Sequence, residues 1–217
     1  MSRGRVFILF LIFFLIMNIQ AVKAKDKRII LIDMEEMQLY LLEDNVPIKK
    51  YKIAVGKFDT PSPIGSFKIK EKARWGGGFG SRWMGLNVPW GRYGIHGTNE
   101  PNSIGWASSH GCFRMRNKDV EELYSLVTVN TPVIIYGGPY GLLGNGKRTI
   151  RPGDRNSHVL AVQIRLKELG YYNGSLDGIF GLGMERSLLK FKKEHGLPLS
   201  NIVDNLTYKK LNLITFE

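Results

Sequence analysis

Between Gly137 and Gly153 the chain has six glycines and two prolines among seventeen residues. Proline removes a backbone donor and glycine disfavours both helix and strand, so no regular element is expected there. The textures on the two sides differ. Before it, short apolar runs alternate with turn residues; after it, apolar residues recur at helical spacing. The 217-residue chain therefore reads as two folding units joined by a flexible tether.

The first unit reads as mainly β. Arg28–Asp33 and Met37–Leu42 are apolar runs split by an acidic turn, which predicts a hairpin. Val46 to Val55 reads as a further strand, Ser66–Lys70 alternates with period two, and Thr131–Tyr136 closes the region. One helix is expected from Asn117, as its cap, to about Leu126, with Val120, Leu123, Tyr124 and Val127 on one face. Several short strands with turn signals predict a β-sandwich or a barrel-like domain. In the second unit Val159, Val162, Leu166 and Leu169 mark a helix that Gly170 stops. Further helices are expected from Met184 to Glu194 and from Asn205 to about Leu213, giving a small three-helix domain.

The N-terminus reads as an address. Arg3 and Arg5 precede twelve unbroken apolar residues, Val6 to Met17, and Val22-Lys23-Ala24 offers a cleavage site. That layout predicts a signal peptide over 1–24, with an uncleaved membrane anchor as the alternative. The expected division is 25–137 for the first domain, 138–153 for the linker and 154–213 for the C-terminal domain. Lys and Arg number 31 against 19 Asp and Glu, a net charge of +12. Without Arg3, Arg5 and Lys23 the balance is 28 against 19, or +9. A basic exported protein suits a polyanionic surface such as a bacterial wall or anionic lipid. No nucleic-acid motif is present, and export removes that partner. No residue pattern fixes an oligomeric state, and a monomer is the expectation.

An exported chain normally pairs its cysteines, yet Cys112 is alone. It stands in Ser109-His110-Gly111-Cys112-Phe113-Arg114, sixteen residues after His96 in Ile95-His96-Gly97-Thr98. Three readings follow. As a nucleophile, Cys112 needs a base or a positive field to lower its pKa, and His96 and His110 are the candidates. His110, two residues away, shares a strand face with Cys112 but bonds to it awkwardly, whereas His96 approaches from a neighbouring strand. The Gly111 and Cys112 amides are candidate oxyanion donors, and Arg114 is a fork for a carboxylate. As a metal site, His96, His110 and Cys112 supply three ligands suited to zinc. As a structural residue, the thiol lies inert in a core. A serine nucleophile at Ser108 or Ser109 is disfavoured, because no Gly-x-Ser-x-Gly elbow exists.

The two blocks resemble the signature of the L,D-transpeptidase catalytic domain, the YkuD-like family. Val55-Gly56, Thr60-Pro61-Ser62-Pro63-Ile64-Gly65, Asn117-Lys118-Asp119-Val120 and Thr131-Pro132-Val133 agree with it, and the likeness covers about Lys27 to Tyr136. It implies a mostly β fold with the cysteine in a cleft and acyl transfer on peptidoglycan stem peptides. The attacked bond is the amide after the third residue of a tetrapeptide donor. The acceptor is another stem's amine, or water in an L,D-carboxypeptidase. Carried over, Cys112 is the nucleophile, His96 the acid/base and the Gly97 carbonyl its orienter, with no cofactor or metal. His110, Gly111, Arg114 and Ser109 support the loop or the substrate. Phe113 stands where an aliphatic residue is more usual.

Leu160–Leu166, Leu169-Gly170-Tyr171-Tyr172 and Asp177-Gly178-Ile179-Phe180-Gly181 resemble a small peptidoglycan-binding domain. Met184, Lys192 and Ser200–Asp204 depart from its pattern, which leaves a spacer as the alternative role. A non-catalytic wall-binding protein is the third overall reading.

Overall fold

The computed structural model describes residues 28–213, so the signal-peptide segment lies outside the described residues. The first unit is built on ten strands. They are β1 (Arg28–Asp33), β2 (Gln38–Glu43), β3 (Val46–Lys52), β4 (Val55–Gly56), β5 (Gly65–Ala73), β6 (Trp83–Leu86), β7 (Gly94–Thr98), β8 (Ala107–Ser109), β9 (Phe113–Arg116) and β10 (Pro132–Tyr136).

Eight of these form one sheet in the order β3-β2-β1-β10-β5-β6-β7-β9, and β4 pairs with β8. The β1–β10 and β7–β9 pairs are parallel, and the other neighbours in the large sheet are antiparallel. The β2–β3 hairpin turns through Asp44 and Asn45, both at positive φ, which short polar side chains tolerate. The expected strand from Val46 to Val55 breaks after Lys52, because Ala54 leaves the β3 edge. Its N–H donates to the Arg114 carbonyl at 2.9 Å and its carbonyl accepts from the Arg114 N–H at 3.0 Å. This link joins the two outer edges of the sheet, so the domain is barrel-like rather than a sandwich. Residues such as Ile30, Ile32, Leu39, Ile69, Ile95, Phe113, Met115 and Val133 fill its interior.

Helix α1 (Asn117–Leu126) packs Val120 and Leu123 onto this core. Asn117 is its first residue and not its cap. Its Oδ1 instead accepts the Ser81 N–H at 3.1 Å, a reach made possible because Gly80 and Gly97 lack Cβ atoms there.

The second unit holds α2 (Ser157–Glu168), α3 (Leu182–Glu194) and α4 (Asn205–Lys210). Asn156 and Asp204 cap α2 and α4 through bonds to Val159 N and Thr207 N, and Gly170 follows α2 at φ +78°. Met184 is core, and Lys192 is buried with its ammonium donating to Ser200 Oγ and the Ile202 carbonyl.

The glycine-rich segment is not a free tether. Gly141–Leu143 makes a 3-10 turn, and Leu143 and Ile150 are buried in the helical core. Positive φ at Gly138, Gly141 and Gly144 lets the chain double back tightly enough to bury those side chains. The two units also abut. Ile64 N–H donates to Ser157 Oγ at 2.8 Å, and Arg148 Nη2 donates to the Phe58 carbonyl at 2.6 Å, with its guanidinium 4.3 Å from the Phe58 ring. Leu160 and Ile179 pack against the barrel core.

Candidate active site

Strands β7 and β9 are parallel neighbours, with Ile95 opposite Phe113 and His96 opposite Arg114. Ile95, Phe113 and Met115 are fully buried in the barrel. Alternation therefore sends His96 and Arg114 to the other face, and Cys112 lies in the bend just before β9. His96, Cys112, Arg114, Ser109 and His110 all line one cavity of about 400 Å³. Its remaining wall is Trp75, Gly78, Phe79, Trp83 and Arg92.

His96 is 4% exposed. Its Nδ1 lies 2.5 Å from the Gly97 carbonyl oxygen. A carbonyl only accepts, so Nδ1 carries the proton and Nε2 keeps its lone pair. The Phe79 ring meets the imidazole edge-on at 5.1 Å, and Trp83 lies tilted at 5.8 Å. Trp75 stacks on Trp83 at 4.8 Å, and the Arg92 guanidinium lies 5.2 Å from Trp75. Sequence reasoning missed this aromatic wall. Its signal was Trp75 and Phe79 bracketing three glycines, with Trp83 close behind.

Ser109 holds the turn that carries Cys112. It is 1% exposed; its Oγ donates to the Cys112 carbonyl at 2.6 Å and accepts the Gly111 N–H at 3.0 Å. The Gly111 amide is thus already engaged, and only the Cys112 amide remains of the two expected oxyanion donors. Gly111 sits at φ +109°, and a Cβ there would lie 2.8 Å from the Tyr93 ring. Glycine is required on both counts. The Ser109 carbonyl accepts from Lys57 N at 3.0 Å and Thr60 Oγ1 at 3.1 Å, tying the turn to the 57–64 loop.

Arg114 pairs with Glu100 at 2.9 Å, so part of its fork is occupied. His110 is exposed at the rim of the same cavity. Among the described residues no group of three or more His, Cys, Asp or Glu is placed to hold a metal ion. His96, His110 and Cys112 share a cavity without forming such a group.

The electrostatics differ from the expected activated thiolate. Burial pushes the Cys112 thiol above its ordinary value, and the Gly94 backbone and the Arg114 and Arg92 guanidinia only partly counter it. Burial also pushes His96 below the usual histidine range, with Arg114 adding to the effect and the Gly97 and Phe79 backbone opposing it. Low dielectric disfavours both charged forms, which favours neutral thiol and neutral imidazole over the ion pair. Such a pair can perform nucleophilic attack coupled to proton transfer.

Two families match this chain. The "L,D-transpeptidase catalytic domain" matches residues 27–135, half of the chain, and the "Putative peptidoglycan binding domain" matches residues 155–211. The "Putative L,D-transpeptidase YkuD" of Bacillus subtilis (strain 168) is 51% identical over 98 residues, covering 45% of this chain and 58% of that protein. The "Putative L,D-transpeptidase YqjB" of the same organism is 34% identical over 122 residues, covering 49% of this chain and 69% of that protein. The chain thus spans little more than half the length of the first of these relatives. An Enterococcus faecium L,D-transpeptidase crystal structure is 26% identical over 52% of this chain and 50% of its own, with a TM-score of 0.46. With the catalytic-domain match spanning half of its length, the chain belongs to the L,D-transpeptidase (YkuD) family.

Proposed function

We propose that this protein is an exported, monomeric cysteine acyl transferase that cross-links peptidoglycan stem peptides through a Cys112 thioester. The observation that carries the reading is the shared cavity. Cys112 and His96 both line it, and the Gly97 carbonyl accepts from His96 Nδ1, which leaves Nε2 free to act as the base in this reading. The family membership and the second, peptidoglycan-binding match support the same substrate and a location at the cell wall.

In the first half-reaction Cys112 Sγ attacks the carbonyl carbon of the donor amide while its proton passes to His96 Nε2. The Cys112 N–H is the available donor for the oxyanion. The C–N bond then breaks, and His96 returns the proton to the leaving amine. In the second half-reaction the acceptor amine attacks the thioester and its proton goes to His96. The C–S bond breaks, and the proton is passed back to the thiolate. Water in place of the amine gives the carboxypeptidase outcome from the same acyl-enzyme.

The test is acyl-enzyme capture by mass spectrometry with a soluble tetrapeptide donor. Cys112→Ala is expected to abolish both the adduct and turnover. His96→Ala is expected to cost nearly as much, because members of one catalytic unit fail together. Persistent transfer by Cys112→Ala would refute the mechanism. Product analysis with and without an added amine separates transferase from hydrolase.

A further inference from the structure

A second cavity of about 630 Å³ opens where the barrel, the glycine-rich segment and the helical unit meet. Its wall combines barrel residues such as Asp59, Trp90 and Tyr93 with Lys147 and Arg155 from beyond Gly137. His110 lines both this cavity and the one holding Cys112. Neither unit alone makes the pocket. It exists because the segment is packed and the units are braced through Ser157 and Arg148.

Its charged lining is Asp59, Lys147, Arg148, Asp154 and Arg155. Arg148 is engaged with the Phe58 carbonyl and ring, and Asp154 Oδ2 accepts the Arg151 N–H at 2.9 Å. Asp59 sits on the 57–64 loop, which is bonded to the carbonyl of Ser109 at the start of the catalytic turn. Lys147 and Arg155 come from beyond Gly137. All three side chains are exposed, and among the described residues none of them forms an ion pair. An unpaired anion on the loop tied to the catalytic turn and two unpaired cations from beyond Gly137 suit a short peptide with an amine at one end and carboxylates at the other.

The geometry points to this junction as the acceptor subsite, holding a stem peptide with its side-chain amine toward the Cys112 thioester. This inference rests on the acyl-transfer reading above. Asp59 would steer the amine, and Lys147 and Arg155 would take the carboxylates. The helical unit then contributes directly to the second half-reaction, beyond any role in holding the wall.

The experiment has a binding arm and a kinetic arm, both on the full chain. In the first, a soluble tripeptide stem, which has no scissile bond after its third residue, is titrated calorimetrically into Cys112→Ala. Adding Lys147→Glu with Arg155→Glu is expected to weaken binding roughly fivefold to tenfold, from two exposed ion pairs at about 0.2–1 kcal/mol each plus new repulsion. Lys167→Glu with Lys210→Glu changes net charge equally on exposed α2 and α4 positions and is expected to leave binding unchanged. In the second arm, the acyl-enzyme is formed with a tetrapeptide donor and its loss to amine and to water is timed. The Lys147/Arg155 pair is expected to slow aminolysis by a similar factor while acylation and hydrolysis stay as in the parent. Asp59→Asn is expected to raise the acceptor KM. Equal binding and equal aminolysis in parent and cavity variants overturn the subsite, as does equal weakening by the control pair. If Cys112 never acylates while the cavity variants still lose tripeptide binding, the mechanism fails and the peptide site stands.

Discussion

Ser109→Ala is the substitution that separates positioning from chemistry. It removes one atom that never meets the substrate's reacting bond in the proposed mechanism. That atom makes two hydrogen bonds, to the Cys112 carbonyl at 2.6 Å and from the Gly111 N–H at 3.0 Å, at a residue 1% exposed. A made hydrogen bond contributes about 1 kcal/mol net, and a buried N–H left without a partner costs about 1–3 kcal/mol. The expected loss of stability is therefore roughly 2–4 kcal/mol. Ser108→Ala is the comparison: its Oγ makes one bond, to the Ser103 carbonyl at 3.1 Å, from a half-buried position, and about 1 kcal/mol is expected.

The catalytic effect follows from where those bonds lie. The Ser109 carbonyl stays held by Lys57 and Thr60, so the backbone before the turn does not move. Slack is confined to residues 110–112, and a displacement of Sγ by about 1 Å costs on the order of 100-fold in rate. Urea unfolding measures the first quantity, and the rate of acyl-enzyme formation measures the second. Wild-type acylation by a Ser109→Ala protein of wild-type stability would refute the claim that this hydroxyl positions the nucleophile. Lost stability with unchanged acylation would assign Ser109 to folding alone.

The pKa shifts give a pH prediction. His96 is held below the ordinary histidine value of about 6.5 and the thiol above its ordinary value, so acylation should persist to lower pH than a free imidazole would allow. Alkylation of Cys112 by iodoacetamide should be slower than that of a free thiol at neutral pH. His96 and His158 both have lowered folded values, so the unfolded chain binds more protons. Their contribution to stability is present above the unfolded value near 6.5 and is lost as pH falls through the folded values, which thermal melts between pH 7 and 5 will register. Gly80→Ala places a Cβ 2.4 Å from the Gly97 carbonyl carbon at φ +61°, and is expected to lower both the melting temperature and acylation by displacing the carbonyl that orients His96. Truncation after Gly138 removes the Ser157 and Arg148 contacts to the 57–64 loop. It is therefore expected to lower turnover on a soluble tetrapeptide and the barrel's melting temperature, where a free tether predicts no change.

Features carried by rare residue types or by local pattern were legible in the sequence. The β1–β2 pairing follows from two alternating runs, and the scarcity of cysteine and histidine singled out Cys112, His96 and His110, which line one cavity, while only the family resemblance chose between the two histidines. What failed depended on distant partners. Strand β6 is only four residues, one of them Gly85, and its strand character comes from β5 and β7 on either side. The barrel closure at Ala54 and Arg114 joins positions sixty residues apart that carry no complementary signal. Asn117 has the composition of a cap, and only the missing Cβ atoms of Gly80 and Gly97 redirect it to Ser81. Glycine content reports which φ values are available, not whether Leu143 and Ile150 become buried, so a packed connection was indistinguishable from a tether.

The same distinction governs the chemistry. Arginine and histidine around a cysteine suggest a stabilised thiolate, because sequence displays charges and hides the dielectric. Here the Arg114 charge is shared with Glu100, while Trp83 and Phe79 close over the imidazole. Desolvation is the largest influence on both catalytic groups, and it favours their neutral forms. In the proposed mechanism a neutral pair reacts as the proton departs toward Nε2 while the carbonyl carbon meets the sulphur. The raised thiol pKa is expected to slow oxidation of Cys112, since susceptibility follows thiolate character as well as exposure. In the proposed mechanism desolvation therefore serves two ends: it holds a lone, half-buried thiol in its protonated form while the site is empty, and it leaves proton transfer to accompany attack on the donor.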